Sequence, residues 1–451
     1  MTCDSLVLAA GLGTRMHSAL PKVLHRVGGR TLLAWVEAAC RQATGRAPYV
    51  VLGPEIPESG EVLPDDVTRV EQSERKGTGH AVLQAAGLLR GRSEFILIAT
   101  ADMPLLRAET LRSLVSMQAD NQGPFSMLTL HSTDSRGFGR VVRDDSGKVM
   151  AVIEESLATA DQLELDELNA GVYCFRSAWL WDHLPELAPS PSGEIYLTDL
   201  VALAAQEGTP AVATPVADSD EVIGINNRIH LAEAEAALRR RINDEWMLAG
   251  VTLVDPATTY IEPTVVLASD ILVLPGTHLL GATSIGRASV IGPNTVIADT
   301  TVGEACRVKS SILEGSTVGD EVHIGPFAHL RPGARLGRGV HMGNFGEVKN
   351  SVLGDGVKMG HFSYVGDAEI GEETNIGAGT ITCNFGRDGR KNRTWIGERV
   401  FIGSDTLLVA PVRIGDRATT GAGSVVTKDV PQGSLAVGMP ARVVRKGVDG
   451  D

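Results

Sequence analysis

Beyond Gly250 an aliphatic residue followed by glycine returns every six positions, a rhythm that few folds can accommodate. Counting by sixes gives Ile285, Ile291 and Ile297; Val318, Ile324, Leu330 and Leu336; Leu353, Met359 and Val365; Ile370 and Ile376; then Ile396, Ile402, Leu408 and Ile414. The register holds within each run and slips between runs. Each six-residue unit supplies one face of a triangular coil, with the aliphatic residue pointing inward and glycine or a small polar residue turning the corner. The expected structure over 250–451 is a hexapeptide-repeat parallel β-helix. Its coils are taken as left-handed because the class is left-handed, against the usual crossover rule, and not because the spacing says so. Ile376 and Ile396 stand twenty apart where a full turn needs eighteen, so part of 382–395 leaves the coil as a loop. Its Asn, Gly, Arg and Lys content suits a mobile segment that contacts anions.

The first 226 residues have another texture. Short β-branched or aliphatic runs (5–9, 49–52, 95–99) alternate with amphipathic stretches (31–40, 80–89), which implies parallel βαβ units and a Rossmann-like α/β domain. Residues 227–249 are rich in Ala, Glu and Arg and lack Gly and Pro. With Ile229, Ala232, Ala236, Ile242 and Trp246 as apolar positions, they predict one linking helix.

With 451 residues, two domains are the natural expectation. A net charge of -14 disfavours nucleic acid and anionic lipid as partners, so a site for a phosphorylated ligand must gather its own cations and N–H groups. No run approaches the roughly 20 apolar residues of a membrane span, and the apolar segment 6–10 lacks the basic lead-in of a signal peptide. The expectation is a cytoplasmic protein without membrane insertion. The five cysteines, Cys3, Cys40, Cys174, Cys306 and Cys383, are scattered and never form a CxxC pair, which argues against disulfides and zinc.

The sharpest local motif is Leu8-Ala9-Ala10-Gly11-Leu12-Gly13-Thr14-Arg15-Met16, with Lys22 following in Leu20-Pro21-Lys22. It directly follows a predicted strand. Its glycines let backbone N–H groups approach a triphosphate, while Arg15 and Lys22 neutralise charge on the α-phosphate and the departing pyrophosphate. Without a third glycine it is no dinucleotide fingerprint, and without Gly-Lys-Ser/Thr it is no P-loop. Asp102, in Ala101-Asp102-Met103-Pro104, ends a predicted strand where open α/β sheets place ligands.

These motifs resemble those of sugar-1-phosphate nucleotidylyltransferases. Further strings narrow the resemblance to the bifunctional N-acetylglucosamine-1-phosphate uridylyltransferase/glucosamine-1-phosphate acetyltransferase family, over almost the whole chain. In the first half these are Gln72 with Gly77-Thr78-Gly79-His80-Ala81, Gly137-Phe138-Gly139-Arg140, Leu168-Asn169-Ala170-Gly171 and Gly224-Ile225-Asn226-Asn227. The resemblance implies that Leu8, Ala9, Ala10, Gly11, Gln72, Gly77 and Thr78 hold UTP, and that Gly139, Glu154, Asn169, Thr198 and Asn226 hold the sugar phosphate. Asp102 and Asn226 are then the Mg²⁺ ligands, through hard oxygens. Leu12, Thr100-Ala101 and Ala170 depart from the family pattern. Taken singly, Glu154 reads as a solvated charge and Asn169 as a turn residue.

In the solenoid, polar and ionisable residues interrupt coils that do not need them. The strings Arg331-Pro332-Gly333, Gly343-Asn344-Phe345, Gly360-His361-Phe362-Ser363-Tyr364-Val365-Gly366-Asp367 and Asn375-Ile376-Gly377-Ala378-Gly379 resemble the acetyltransferase half of the same family. Transfer of an acetyl group to an amine needs a proton acceptor near neutrality, and His361 is the candidate base. The resemblance implies that Arg331, Lys349 and Lys391 clamp glucosamine-1-phosphate while Tyr364 and Asn375 orient the sugar. It assigns acetyl-CoA to Ala378, Asn384, Phe385, Ser404 and Ala422, with Arg442 the candidate terminal arginine. Glycine, alanine or serine at a solenoid corner also has a purely structural reading. Prisms of this kind expose flat strand faces, so a homotrimer with sites in the clefts between prisms is expected. The rival reading makes the solenoid an oligomerisation and regulatory module, and leaves His361, Tyr364 and Lys349 unexplained.

Overall fold

The apolar runs of the first half pair into one nine-stranded sheet. Its strands are β1 (Cys3–Ala9), β2 (Tyr49–Leu52), β3 (Thr68–Glu71), β4 (Phe95–Thr100), β5 (Phe125–His131), β6 (Arg140–Arg143), β7 (Val149–Ile153), β8 (Glu167–Arg176) and β9 (Val212–Pro215). The order is β9-β5-β8-β4-β1-β2-β3, with β6 beside β8 and β7 beside β6. The expected parallel units are present in β4-β1-β2-β3, but β8 runs antiparallel between β4 and β5. Successive side chains of a strand point to opposite faces. Leu6, Ile96 and Ile98 therefore enter one core, and Val7, Leu97 and Ala99 enter the other.

The computed structural model describes residues 2–56, 62–191 and 193–445. It divides into two units, Met1–Leu238 and Arg239–Asp451, and one helix, Arg228–Leu248, carries the chain from the first into the second.

The second unit is a left-handed parallel β-helix whose strands, mostly two to four residues long, stack into sheets of twelve, ten and nine. Every aliphatic residue counted by sixes is buried, from Ile285 through Leu330, Met359 and Ile376 to Ile414. Each face turns two positions inward, the counted aliphatic residue and, two before it, a residue such as Val322, Ala334 or Val357. At the corners, buried hydroxyls satisfy carbonyls of the same turn: Thr277 Oγ1 donates to Leu274 O at 2.7 Å, and Thr406 Oγ1 to Gly403 O at 2.7 Å.

The loop expected within 382–395 does leave the coil. It spans 384–393, between Ile381–Cys383 and Thr394–Ile396, and Phe385 bridges back to Lys391. It is longer than the surplus read from the sequence. Ile376 and Ile396 belong to different sheets, Ile376 pairing with Ile402 while Ile396 pairs with Ile370 and Ile414, so their separation was never one full turn. The coil that contains the loop closes after 26 residues, as the Val400 N–H to Thr374 Oγ1 bond records.

Candidate active sites

In the first unit β1 lies between β2 and β4, where the parallel order changes direction, and ligands of open α/β sheets bind beyond the carboxyl ends of strands at such a point. A cleft of about 530 Å³ opens there. Leu8, Ala9, Ala10, Gly11, Lys22, Gln72, Gly77, Thr78 and Asp102 all line it. Gly13 sits at φ 62, and a side chain there would collide with Lys22. Lys22 Nζ lies 2.6 Å from Asp102 Oδ2, with the two side chains 12% and 24% exposed. Burial pushes the Asp102 carboxyl up, but the Lys22 ammonium and bonds from Lys22 and Thr100 outweigh it, so the group sits below the ordinary carboxylate value.

Arg15 Nη2 donates to Asn226 Oδ1 at 3.0 Å, and the Ile225 N–H donates to the Asp102 carbonyl at 2.9 Å. Asp102 and Asn226 thus sit on adjoining segments, each holding one cation. Among the described residues no group of three or more His, Cys, Asp or Glu is arranged to hold a metal. One carboxylate and one amide oxygen suit Mg²⁺, which keeps several waters and takes further oxygens from substrate phosphates.

Gln72 Nε2 donates to Gly77 O at 3.2 Å and lies 3.0 Å from His80 Nδ1, while Thr78 Oγ1 accepts from Leu197 N at 2.9 Å. The sugar candidates form two linked pairs. Gly139 O accepts from Asn169 N at 2.9 Å, and Thr198 Oγ1 donates to Glu154 Oε1 at 2.8 Å. Asn169 is buried and donates to Tyr173 OH at 2.7 Å. Burial raises the Glu154 carboxyl, the Thr198 hydroxyl opposes this, and Asp199 and Glu194 add to it; Glu194 also lines the cleft.

Sequence reasoning missed Arg75, which reads as one cation in a polar string. It lines the cleft, its Nε donates to Ala10 O at 2.7 Å, and its guanidinium pairs with Glu55. A side chain at Gly53 would strike that guanidinium, so Gly53 is its seat. Only the pairing of a glycine after β2 with an arginine ahead of Gly77 could have signalled this.

In the solenoid His361, Ala378, Ser404 and Ala422 occupy one corner column. Each stands two residues beyond the paired position of its coil, Met359, Ile376, Ile402 and Thr420. Backbone bonds link successive rungs: Asp405 N donates to Ala378 O at 2.6 Å, and Gly423 N to Ser404 O at 2.8 Å. The next position of the corner carries Phe327 and Phe345 on the coils below and Phe362 beside His361, exposed by 60%, 59% and 56%. The following positions are Gly379, Asp405 and Gly423, so an aromatic ridge gives way to a small-residue groove at His361. His361 is exposed and has no side-chain hydrogen bond among the described residues.

Arg331, Lys349 and Lys391 converge from three parts of the chain. Lys391 first, then Arg331, pushes the Lys349 ammonium below the usual lysine range, against an opposing pull from Asp367. Arg331 Nη1 donates to Glu347 Oε1 at 2.9 Å, and Glu347 is the rung partner of Tyr364. Tyr364 OH lies 3.5 Å from Asn384 Nδ2. Asn375 is half-buried, one rung above Lys358, and Phe385 is 70% exposed. Arg442 lies on the terminal antiparallel strand Ala441–Arg445, where its guanidinium donates only to Ala441 O, at 3.3 Å, among the described residues. It is not brought into contact with the other candidates.

Residues 5–187 match the MobA-like NTP transferase domain, and residues 393–428 match the bacterial transferase hexapeptide (six repeats). The chain is 44% identical over 452 residues to the bifunctional protein GlmU of Pelobacter propionicus, covering 98% of this chain and 97% of that protein. It is 42% identical over 465 residues to the GlmU of Geobacter sulfurreducens, with 98% and 97% covered. Against the GlmU of Heliobacterium modesticaldum it is 44% identical over 435 residues, with 96% and 94% covered. Among the described residues no helix is long and apolar enough to cross a membrane.

Proposed function

The chain belongs to the bifunctional GlmU family, and from that membership we propose how its own residues divide the two reactions. It is an enzyme of UDP-N-acetylglucosamine synthesis: it N-acetylates glucosamine-1-phosphate with acetyl-CoA, then transfers UMP from UTP to N-acetylglucosamine-1-phosphate and releases pyrophosphate.

In the first unit, the loop from Leu8 to Gly11 with Gln72, Gly77 and Thr78 holds UTP, and Gly139, Glu154, Asn169, Thr198 and Asn226 hold the sugar phosphate. A sugar-phosphate oxygen attacks the α-phosphorus and pyrophosphate leaves. That reaction depends on alignment and charge neutralisation more than on a protein base. Arg15 and Lys22 supply the neutralising charge, and their present partners, Asn226 and Asp102, would receive Mg²⁺. Held by Asp102 and Asn226, such an ion would supply positive charge to offset the negative charge that develops on the phosphates.

In the second unit, His361 takes the proton from the attacking amine, and Arg331, Lys349 and Lys391 grip the sugar phosphate. Tyr364 and Asn375 orient the ring. The pantetheine arm of acetyl-CoA lies along Ala378, Ser404 and Ala422, with Asn384 and Phe385 beside the thioester and Arg442 toward the far end. A homotrimer in the cytoplasm completes the reading, and the exposed stack of Phe327 on Phe345, 5.4 Å between centroids, is a natural surface for a second copy.

The observation that carries this reading is the column of His361 with three small corner residues, in a unit that also gathers three cations. Glucosamine-1-phosphate-dependent thiol release from acetyl-CoA tests it, with the parent chain set against His361→Ala. Release that is lost in the variant supports the assignment. A folded parent that frees pyrophosphate from UTP and N-acetylglucosamine-1-phosphate but no thiol from acetyl-CoA overturns it and makes the solenoid a structural module.

A further inference from the structure

Asp367 is buried, at a left-handed corner with φ 51, and all four of its polar groups are engaged. Its N–H donates to Lys349 O at 3.1 Å, and its carbonyl accepts from Thr394 N at 3.2 Å. Carboxylate Oδ1 accepts from Asn350 Nδ2 at 2.6 Å, and Oδ2 accepts from Asn384 Nδ2 at 2.5 Å. Asn384 opens the 384–393 excursion and Thr394 follows it, so one residue grips both ends of the loop that carries Lys391. A corner aspartate need only tie its coil to the one before it, as Asp299 does by accepting from Ala282 N. Asp367 accepts in addition from Asn384, at the start of the excursion.

An ionised carboxylate only accepts hydrogen bonds. The NH₂ of Asn384 must therefore face Asp367, and the amide cannot turn without setting two acceptors against each other. Asn384 Nδ2 also lies over Gly366, where an added Cβ would come within 2.8 Å of it. Asn384 Oδ1 has no partner among the described residues and is not one of the buried unpartnered atoms, so it stands open.

We propose that Asp367 is a positioning residue for acetyl transfer, locking the Asn384 amide so that an acceptor oxygen faces the attacking amine of the sugar. This rests on the acetyl-transfer reading of the cleft. An acceptor there takes an N–H of the amine and aligns its lone pair on the thioester carbon. Donation from Asn384 to the acetyl carbonyl would need the opposite amide orientation.

The test is a reciprocal exchange in the full-length chain. Asp367→Asn frees the amide to turn, and Asn384→Asp sets two carboxylates face to face. Each single variant should lower kcat for thiol release by about tenfold or more, with KM for acetyl-CoA unchanged and pyrophosphate release intact. The double exchange restores a donor facing an acceptor and again presents an oxygen to the amine. It should recover about tenfold over either single variant. Asn350→Ser removes the other partner of the carboxylate and should leave kcat within about threefold, which separates a corner role from the amide lock. Asp367→Asn at the parental rate, or a folded double exchange no better than the single variants, overturns the inference while the parent is active. A parent without thiol release overturns the acetyl-transfer reading itself.

Discussion

Gly366→Ala places one methyl group at the centre of the proposed acetyl-transfer site. Gly366 is buried and its φ is not positive, so alanine suits the backbone and the effect is steric alone. The new Cβ would stand 2.8 Å from Asn384 Nδ2 and closer still to Tyr364 OH, whereas ordinary contacts begin at 3.4 Å. Both polar groups must retreat by about 0.6 Å or more. A misplacement of about 1 Å in an aligned site costs on the order of 10²-fold, so this shift should cost about tenfold, or ~1.4 kcal/mol of barrier. Overpacking should lower stability by only about 1–3 kcal/mol. The assay reads thiol release and pyrophosphate release from the same preparation, and only the first should fall. Gly360→Ala is the matched control, because its Cβ would meet nothing within 4 Å although it adjoins His361. Thiol release within threefold of the parent for Gly366→Ala, or an equal loss for Gly360→Ala, would refute the placing of Tyr364 at the sugar and of Asn384 at the reacting groups.

In the first unit, Lys22→Met should cut pyrophosphate release by about 10²–10³-fold and leave thiol release unchanged, measured side by side. Chelation of Mg²⁺ by EDTA should stop pyrophosphate release and spare thiol release, and unaffected pyrophosphate release would remove Asp102 and Asn226 as ligands. Glu154→Gln should melt higher than the parent at pH 7 while raising KM for N-acetylglucosamine-1-phosphate. The Glu154 carboxyl is raised in the folded chain, which therefore holds more protons than the unfolded one above about pH 4.3. Stability then falls as pH rises through that window and stays reduced above it, so the gain from Gln should vanish below about pH 4.3. Melting curves across pH check this, and equal melting at pH 7 counts against it.

The counted runs of the solenoid were legible because a close-packed prism repeats the same inward positions on every face, and such packing writes its period into the chain; Val273, Leu279 and Val308, equally buried, fell outside the count. Ile285, Met359 and Ile402 needed nothing beyond counting. The loop length was misread because counting by sixes does not say which sheet a residue joins, and Ile376 and Ile396 join different ones. In the first half Tyr49–Leu52 was readable as a strand. The reversed direction of β8 was not, since an apolar run carries no sign of direction. Lys22 and Asp102 were each visible in motifs, but their 2.6 Å contact joins distant segments. Arg75 and Asp367 escaped for the same reason: their roles lie in Gly53, Ala10 and Asn384, which only the fold brings near.

The corner column beginning at His361 also works as a ruler. Rungs of a parallel ladder are spaced about 4.8 Å apart, so Ala378, Ser404 and Ala422 mark roughly 5, 10 and 14 Å from the base. A carrier laid along them is gauged against a scale fixed by backbone pairing, indifferent to side-chain motion. Excising one whole coil beyond Ser404, clear of Asn384 and Lys391, would shorten that scale by one division while leaving each remaining coil its own lining. A chain so shortened should select for a shorter thioester arm, its chemistry unchanged and its measure altered.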